Sequence, residues 1–169
     1  MAEVLELTVD GVPLQAAVAD PGRTLLRVLR DDLGRIGPKE GCDDSECGAC
    51  MVLMDGRPVN ACSYLALQAA GRAITTVEGL AGDDGELHPL QRAFVEGGGI
   101  QCGFCTPGML ISASALLAED PDPTDDAIRD ALAGNLCRCT GYQPIIGAVR
   151  RAATELRGEP ARPASATAR

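Results

Sequence analysis

Gly41-Cys42-Asp43-Asp44-Ser45-Glu46-Cys47-Gly48-Ala49-Cys50, followed by a further cysteine at position 62, is the stretch that decides the reading of this chain. Four residues separate Cys42 from Cys47, two separate Cys47 from Cys50, and eleven separate Cys50 from Cys62. C-x4-C-x2-C with a distant fourth cysteine is the spacing of plant-type [2Fe–2S] sites. Three thiolates that reach both irons of one cluster must come from a single loop that bends sharply around it. Gly41 and Gly48 allow such bends, and the small neighbours Ser45 and Ala49 let backbone N–H groups approach the sulfurs. Structural zinc favours two closely spaced ligand pairs, so the x4 gap with one remote cysteine fits it less well.

Four more cysteines lie downstream: Cys102, Cys105, Cys137 and Cys139, as C-x2-C, 31 residues, then C-x-C. Alone, this second group is compatible with zinc, and Cys102 with Cys105 also with a redox dithiol. A dithiol usually sits in a βαβ setting, whereas the flanks here read helical on both sides.

The surrounding periodicities place the first group in a small sheet. Leu5, Leu7 and Val9 alternate, Asp10-Gly11 signals a hairpin turn, and Val12, Leu14, Ala16 and Val18 alternate again. Thr24 is placed to cap a helix carrying Leu25, Val28, Leu29 and Leu33, with Gly34 as its stop. Met51–Met54 and Arg57–Ala61 flank Asp55-Gly56, a second hairpin, and Tyr64–Ala70 reads as a short helix before a returning strand, Ala73–Val77. Strands around one helix with a metal loop along an edge make a β-grasp, plant-type ferredoxin domain. Beyond Gly79–Gly85 the period becomes helical: His88–Glu96, Thr106–Ala118 with Thr106-Pro107 as N-cap and N1, a helix opened by Thr124, and Gln143–Leu156. These predict a four-helix bundle with the second cysteine group in its inter-helix loops. The fold expected is α+β, with a ferredoxin-like domain over 1–79, a helical [2Fe–2S] domain over 80–158 and a disordered tail over 159–169.

Composition narrows the function. The 169 residues hold 24 acidic against 15 basic side chains, a net charge of −9 that a nucleic-acid backbone would repel. Two Tyr, two Phe and no Trp leave no platform for base stacking. No apolar run is long enough to span a membrane, and the largely acidic start lacks the basic and apolar regions of a signal peptide. A cytoplasmic location with reduced thiols is therefore expected, and a chain 46% hydrophobic needs no disulfide staples.

Three stretches together carry a family resemblance: Gly41–Cys50, Gln101-Cys102-Gly103-Phe104-Cys105-Thr106-Pro107-Gly108, and Gly134-Asn135-Leu136-Cys137-Arg138-Cys139-Thr140-Gly141-Tyr142. Over about residues 3–156 the chain resembles the iron–sulfur subunit of the molybdenum hydroxylases, the xanthine oxidase and carbon monoxide dehydrogenase group. The resemblance implies two [2Fe–2S] clusters, one held by Cys42, Cys47, Cys50 and Cys62 near a flavin, the other by Cys102, Cys105, Cys137 and Cys139 near a molybdenum–pterin cofactor. It further implies that Gln101 and Cys139 meet the pterin, that a large subunit binds this cofactor in its cytosine dinucleotide form, and that a medium subunit binds FAD. A dimer of heterotrimers, with no nucleic acid and no membrane span, is the assembly implied. Substrate oxidation, whether of CO, an N-heterocycle, a purine or an aldehyde, would take place on the large subunit. Relative to the family, Glu46 replaces a small residue or histidine, Met51 a frequent threonine and Phe104 a frequent tyrosine. No ligand is affected.

Other residues invite plainer readings. Asp43, Asp44 and Glu46 read as solvated loop tips, and His88 as a cap or packing group, since both thiolate sets are complete. Arg138 suits either a compensating role beside the thiolates or a salt bridge. Tyr64, Phe94, Phe104 and Tyr142 read as packing groups, and Ser112–Ala115 as a close helix contact. The alternative to an electron-transfer subunit is a free-standing two-cluster ferredoxin. A helical domain with Gln101 beside a cluster ligand favours the docked subunit.

Overall fold

The structure is a computed structural model, described for residues 2–82 and 85–158; the tail expected over 159–169 lies outside the described residues. Two hairpins build the first lobe. β1 (Glu3–Val9) pairs antiparallel with β2 (Val12–Val18), and β3 (Met51–Met54) with β4 (Arg57–Asn60). Each closes on Asp-Gly with both φ positive, 51° and 77° at Asp10-Gly11 and 49° and 80° at Asp55-Gly56, the type I′ geometry whose twist matches that of the strands. β5 (Ala73–Thr75) runs parallel to β1 and antiparallel to β3, giving the order β2-β1-β5-β3-β4.

β5 is two residues shorter than its sequence pattern. Asp10 ends it: one carboxylate oxygen accepts the Thr76 N–H at 2.7 Å, the other the Thr76 hydroxyl at 2.9 Å, so the ladder stops at Thr75. Glu78 accepts the Gly37 N–H at 2.6 Å, and the Arg35 guanidinium lies 3.3 Å from Asp10. This polar knot, with Thr76 fully buried, fixes the point where the chain leaves the sheet for the helices.

Thr24 caps α1 (Leu25–Arg27) through Arg27 N–H at 3.4 Å, as its sequence predicts. After one turn the helix widens, and Val28–Asp32 continue with π-type spacing that closes Leu33 N–H on Val28 C=O. Leu25, Leu26, Val28 and Leu29 are all fully buried, a broader apolar stripe than one α-helical face covers. They pack on the inward residues Leu5, Leu7 and Val9 of β1. The helix expected over Tyr64–Ala70 shrinks to a 3₁₀ turn at Ala66–Ala69, because Tyr64 C=O accepts the Leu25 N–H, Ala66 N–H donates to Arg23 C=O and Leu65 bridges Thr24.

The second lobe has the four helices expected: α2 (Pro89–Glu96), α3 (Thr106–Glu119), α4 (Asp125–Leu132) and α5 (Gln143–Leu156). Phe94, Met109, Ile128, Leu132 and Ile145 form its core, and the ion pairs Arg92–Glu155 and Arg151–Glu96 clamp α2 to α5. Thr124 caps α4, and His88 caps α2 by accepting the Leu90 N–H at 3.2 Å while Gln91 accepts the His88 N–H. Thr106 does not cap α3. Cys105 already has helical dihedrals, so the helix begins one residue early and Thr106 lies inside it. No described helix is long and apolar enough to cross a membrane.

Candidate metal centres

The loop from Gly41 to Cys50 folds so that backbone amides meet sulfur. Asp43, Ser45 and Gly48 have left-handed backbones, with φ of 55°, 58° and 69°. These turns bring the Asp44 and Cys47 N–H groups each within 3.4 Å of Cys42 Sγ, and the Ser45 N–H within 3.4 Å of Cys62 Sγ. Gly41 serves by its size instead: a Cβ there would stand 2.9 Å from Cys47 Sγ and 3.3 Å from the Phe104 ring. The two Asp44 and Cys47 amides hold the Cys42 thiol down at about 7, while burial pushes Cys50 up to about 12. Cys42 is in hydrogen-bonding contact with Cys47, and Cys50 with Cys62.

The second group also resolves into two pairs. Cys102 Sγ and Cys139 Sγ are 3.6 Å apart, and Cys105 is in hydrogen-bonding contact with Cys137. Burial pushes Cys105 up to about 12. Burial is the largest single influence and acts against the Cys137 thiolate, but the Thr140 hydroxyl, 3.1 Å from its sulfur, acting together with the Thr140 and Cys139 backbone amides and with Cys105, brings the thiol below its ordinary value. Gly141 and Tyr142 are both left-handed, and the reversal returns the Tyr142 hydroxyl to accept the Cys137 N–H at 2.8 Å and donate to Asn135 C=O at 3.0 Å. Tyr142 is thus a polar brace as well as a packing group.

The donor set fits two-iron centres. Each quartet offers its thiols two by two, as two irons sharing four cysteines require, and the amides aimed at sulfur suit thiolate charge. Among the described residues, no three His, Cys, Asp or Glu side chains converge closely enough to hold a single ion.

The sequence reading missed how the two quartets are joined. Leu136 N–H donates to Cys47 C=O at 2.9 Å, and the Asn135 amide donates to Gly48 C=O at 3.1 Å. Asn135, only 1% exposed, also accepts the Ser112 hydroxyl at 2.7 Å. The approach is tight: a Cβ on Gly108 would stand 2.0 Å from Gly48 O, and one on Gly48 2.3 Å from Gly134 O. One residue before Cys137 therefore bonds the carbonyl of Cys47. The only signal in the sequence was the small-residue run at Ser112, and nothing in it names a partner 61 or 23 residues away.

Gln101, Cys102, Arg138 and Cys139 are exposed, and Phe104 and Leu136 beside them are 47% and 58% exposed. Arg138 makes no ion pair among the described residues. Asp43 pairs with Arg27 at 3.3 Å, and Asp44 and Glu46 are exposed, as the solvated-tip reading expects.

Residues 7–76 match the 2Fe-2S iron-sulfur cluster binding domain family, and residues 76–150 the [2Fe-2S] binding domain family. The chain is 51% identical to the nicotinate dehydrogenase small FeS subunit of Eubacterium barkeri, over 82% of this chain and 87% of that protein. It is 50% identical to the nicotine 6-hydroxylase small subunit of Paenarthrobacter nicotinovorans, over 86% of each. Among solved structures, quinoline 2-oxidoreductase from Pseudomonas putida 86 superposes with a TM-score of 0.87 at 42% identity, covering 94% of this chain and 99% of that one. The aldehyde oxidoreductase of Desulfovibrio desulfuricans ATCC 27774 superposes with a TM-score of 0.88 at 43% identity, covering 93% of this chain but 17% of that longer one. With two iron–sulfur domains in this order and relatives that are small subunits of oxidoreductases, this chain belongs to the small iron–sulfur subunits of the molybdenum hydroxylase family and has an electron-transfer role in an oxidoreductase complex.

Proposed function

We propose that this chain carries electrons from a molybdenum–pterin centre on a large partner subunit to FAD on a medium partner subunit, entering at the helical lobe and leaving from the ferredoxin lobe. Cys102 with Cys139 and Cys105 with Cys137 would each hold one iron of the first cluster, and Cys42 with Cys47 and Cys50 with Cys62 those of the second. When bound, each cluster supplies a one-electron centre, which lets a two-electron donor and a separate acceptor be served in single steps. The observation that carries the direction is the asymmetry of exposure. Cys102, Cys139 and Gln101 lie open on a face edged by Phe104 and Leu136, suited to close approach by a partner's cofactor, whereas Cys50 and Cys62 are buried. Leu136 N–H and Cys47 C=O then give a short covalent and hydrogen-bonded connection between Cys137 and Cys47. Arg138, exposed between two of the thiols, is placed to meet a phosphate or carboxylate of the partner.

The domain limits proposed are 1–79 and 80–158, in a dimer of heterotrimers with a cytosine-dinucleotide form of the pterin. A cytoplasmic setting accords with eight thiols that must stay reduced to accept iron. A free two-cluster carrier is the competing reading, and the subunit character of the relatives weighs against it.

Anaerobic purification from the native host tests this. Two larger chains, stoichiometric molybdenum and FAD, and about four irons per small chain are expected. A lone brown chain with iron but no molybdenum would establish the free carrier instead. In the complex, Cys42→Ser should abolish substrate-driven flavin reduction while leaving reduction of the molybdenum centre intact; rapid flavin bleaching in that variant would contradict the assignment.

A further inference from the structure

Thr106 is only 9% exposed, and its hydroxyl has no hydrogen-bond partner among the described residues. The other buried hydroxyls among those residues are engaged: Thr76 with Asp10, Ser112 with Asn135, and Thr154 with Arg150 C=O. The three other buried side-chain atoms that lack a hydrogen bond are guanidinium nitrogens of arginines that reach carboxylates within 4 Å: Arg23, Arg35 and Arg150. Thr106 is thus the one neutral buried donor left over among the described residues, and an unpaired buried hydroxyl is costly enough that it calls for a partner.

Its place in the chain indicates which. Thr106 directly follows Cys105, whose thiol contacts Cys137 and senses Cys102. Its own N–H is already spent on Gly103 C=O at 3.3 Å, so the hydroxyl is the polar group this residue has left. The absence of a capping role removes the ordinary reason for threonine at a helix start.

We infer that the Thr106 hydroxyl donates its hydrogen bond to a sulfur of the helical-lobe cluster and raises that cluster's reduction potential. The inference rests on the cluster assignment made above. An electron added to a cluster increases negative charge on its sulfurs, so a donor aimed at sulfur stabilises the reduced form more than the oxidised one. The hydroxyl keeps its proton in both oxidation states.

The test is a redox titration of the purified complex, following each cluster by its own EPR signal. Thr106→Val removes the hydroxyl at constant shape. The ratio of reduced to oxidised helical-lobe cluster at a fixed potential should fall about tenfold, a shift of ~59 mV for a one-electron couple. The ferredoxin-lobe signal should not move, and Thr106→Ser should restore the wild-type value. An unchanged potential in Thr106→Val, or equal shifts in both clusters, would overturn the inference. Should valine prevent assembly, Thr106→Ala removes the same hydroxyl with less bulk. Loss of only the helical-lobe signal in both, with serine retaining it, supports the bond; loss of both signals marks Thr106 as a packing residue and overturns it. Two distinguishable iron–sulfur signals in the wild type are the separate check on the cluster assignment, and their absence would overturn both.

Discussion

At the scale of single residues, the thiols differ because their surroundings do. Only a thiolate is alkylated, and the Asp44 and Cys47 amides hold Cys42 at about 7 while burial holds Cys50 at about 12. In the iron-free chain, iodoacetamide labelling of Cys42 should rise with pH through about 7 and then level off, whereas Cys50 stays slow across the physiological range. Mass spectrometry of chain labelled at a series of pH values reads both; equal rates at neutral pH would contradict the arrangement. The eight sulfurs were legible in the sequence because cysteine is rare and its spacing reports loop reach. Their polar neighbours were not. Apart from Ser45, whose small side chain marked an amide close to sulfur, they are common residue types: Asn60 with its amide on Ser45 C=O, Thr140 at Cys137 and the Tyr142 hydroxyl have roles that depend on left-handed turns at Ser45 and Tyr142, which no local preference at those positions signals.

At the scale of elements, His88 ties a helix to pH. Burial, with Arg92 nearby, lowers its pKa in the folded chain, and Leu90 N–H needs a neutral Nδ1 as acceptor. The unfolded chain takes up the proton at its ordinary value, so this contribution is full above about 6.5 and is lost as pH falls through the lower folded value. His88→Asn keeps an N-cap acceptor that does not titrate. Between about pH 7.5 and 5.5 the variant should lose less stability than the wild type, by about 1 kcal/mol or ~2–4 °C. Parallel melting curves would refute it. Periodicity and Asp-Gly turns made both hairpins and all four long helices readable in advance. Two misread elements are trimmed by a distant residue: β5 ended by Asp10, and the 3₁₀ turn cut short by pairing with Thr24.

Over the whole molecule, the two lobes are fastened at Asn135. Asn135→Ala takes the Asn135 acceptor from the buried Ser112 hydroxyl, which keeps only the Met51 thioether, and one of two donors from Gly48 C=O, which keeps the Met51 N–H at 3.2 Å, at a cost of about 1–3 kcal/mol in all. The variant complex should melt earlier and show a weaker magnetic interaction between its two cluster signals, since the lobes are no longer held at one separation. Wild-type melting together with an unchanged EPR splitting would exclude this role. This join had no counterpart in the sequence reading, which identified each lobe from its own periodicity and could not see contacts 87 residues apart.

The knot of Asp10, Thr76 and Glu78 has a consequence for heredity. Thr76 and Glu78 sit on the connector yet complete the β1–β2 turn and the loop at Gly37, so a recombination break there would strip one half of its closure. Gene fusion and gene splitting must then act on the pair of lobes as a single block, joined whole into a longer polypeptide or carried whole as a separate one.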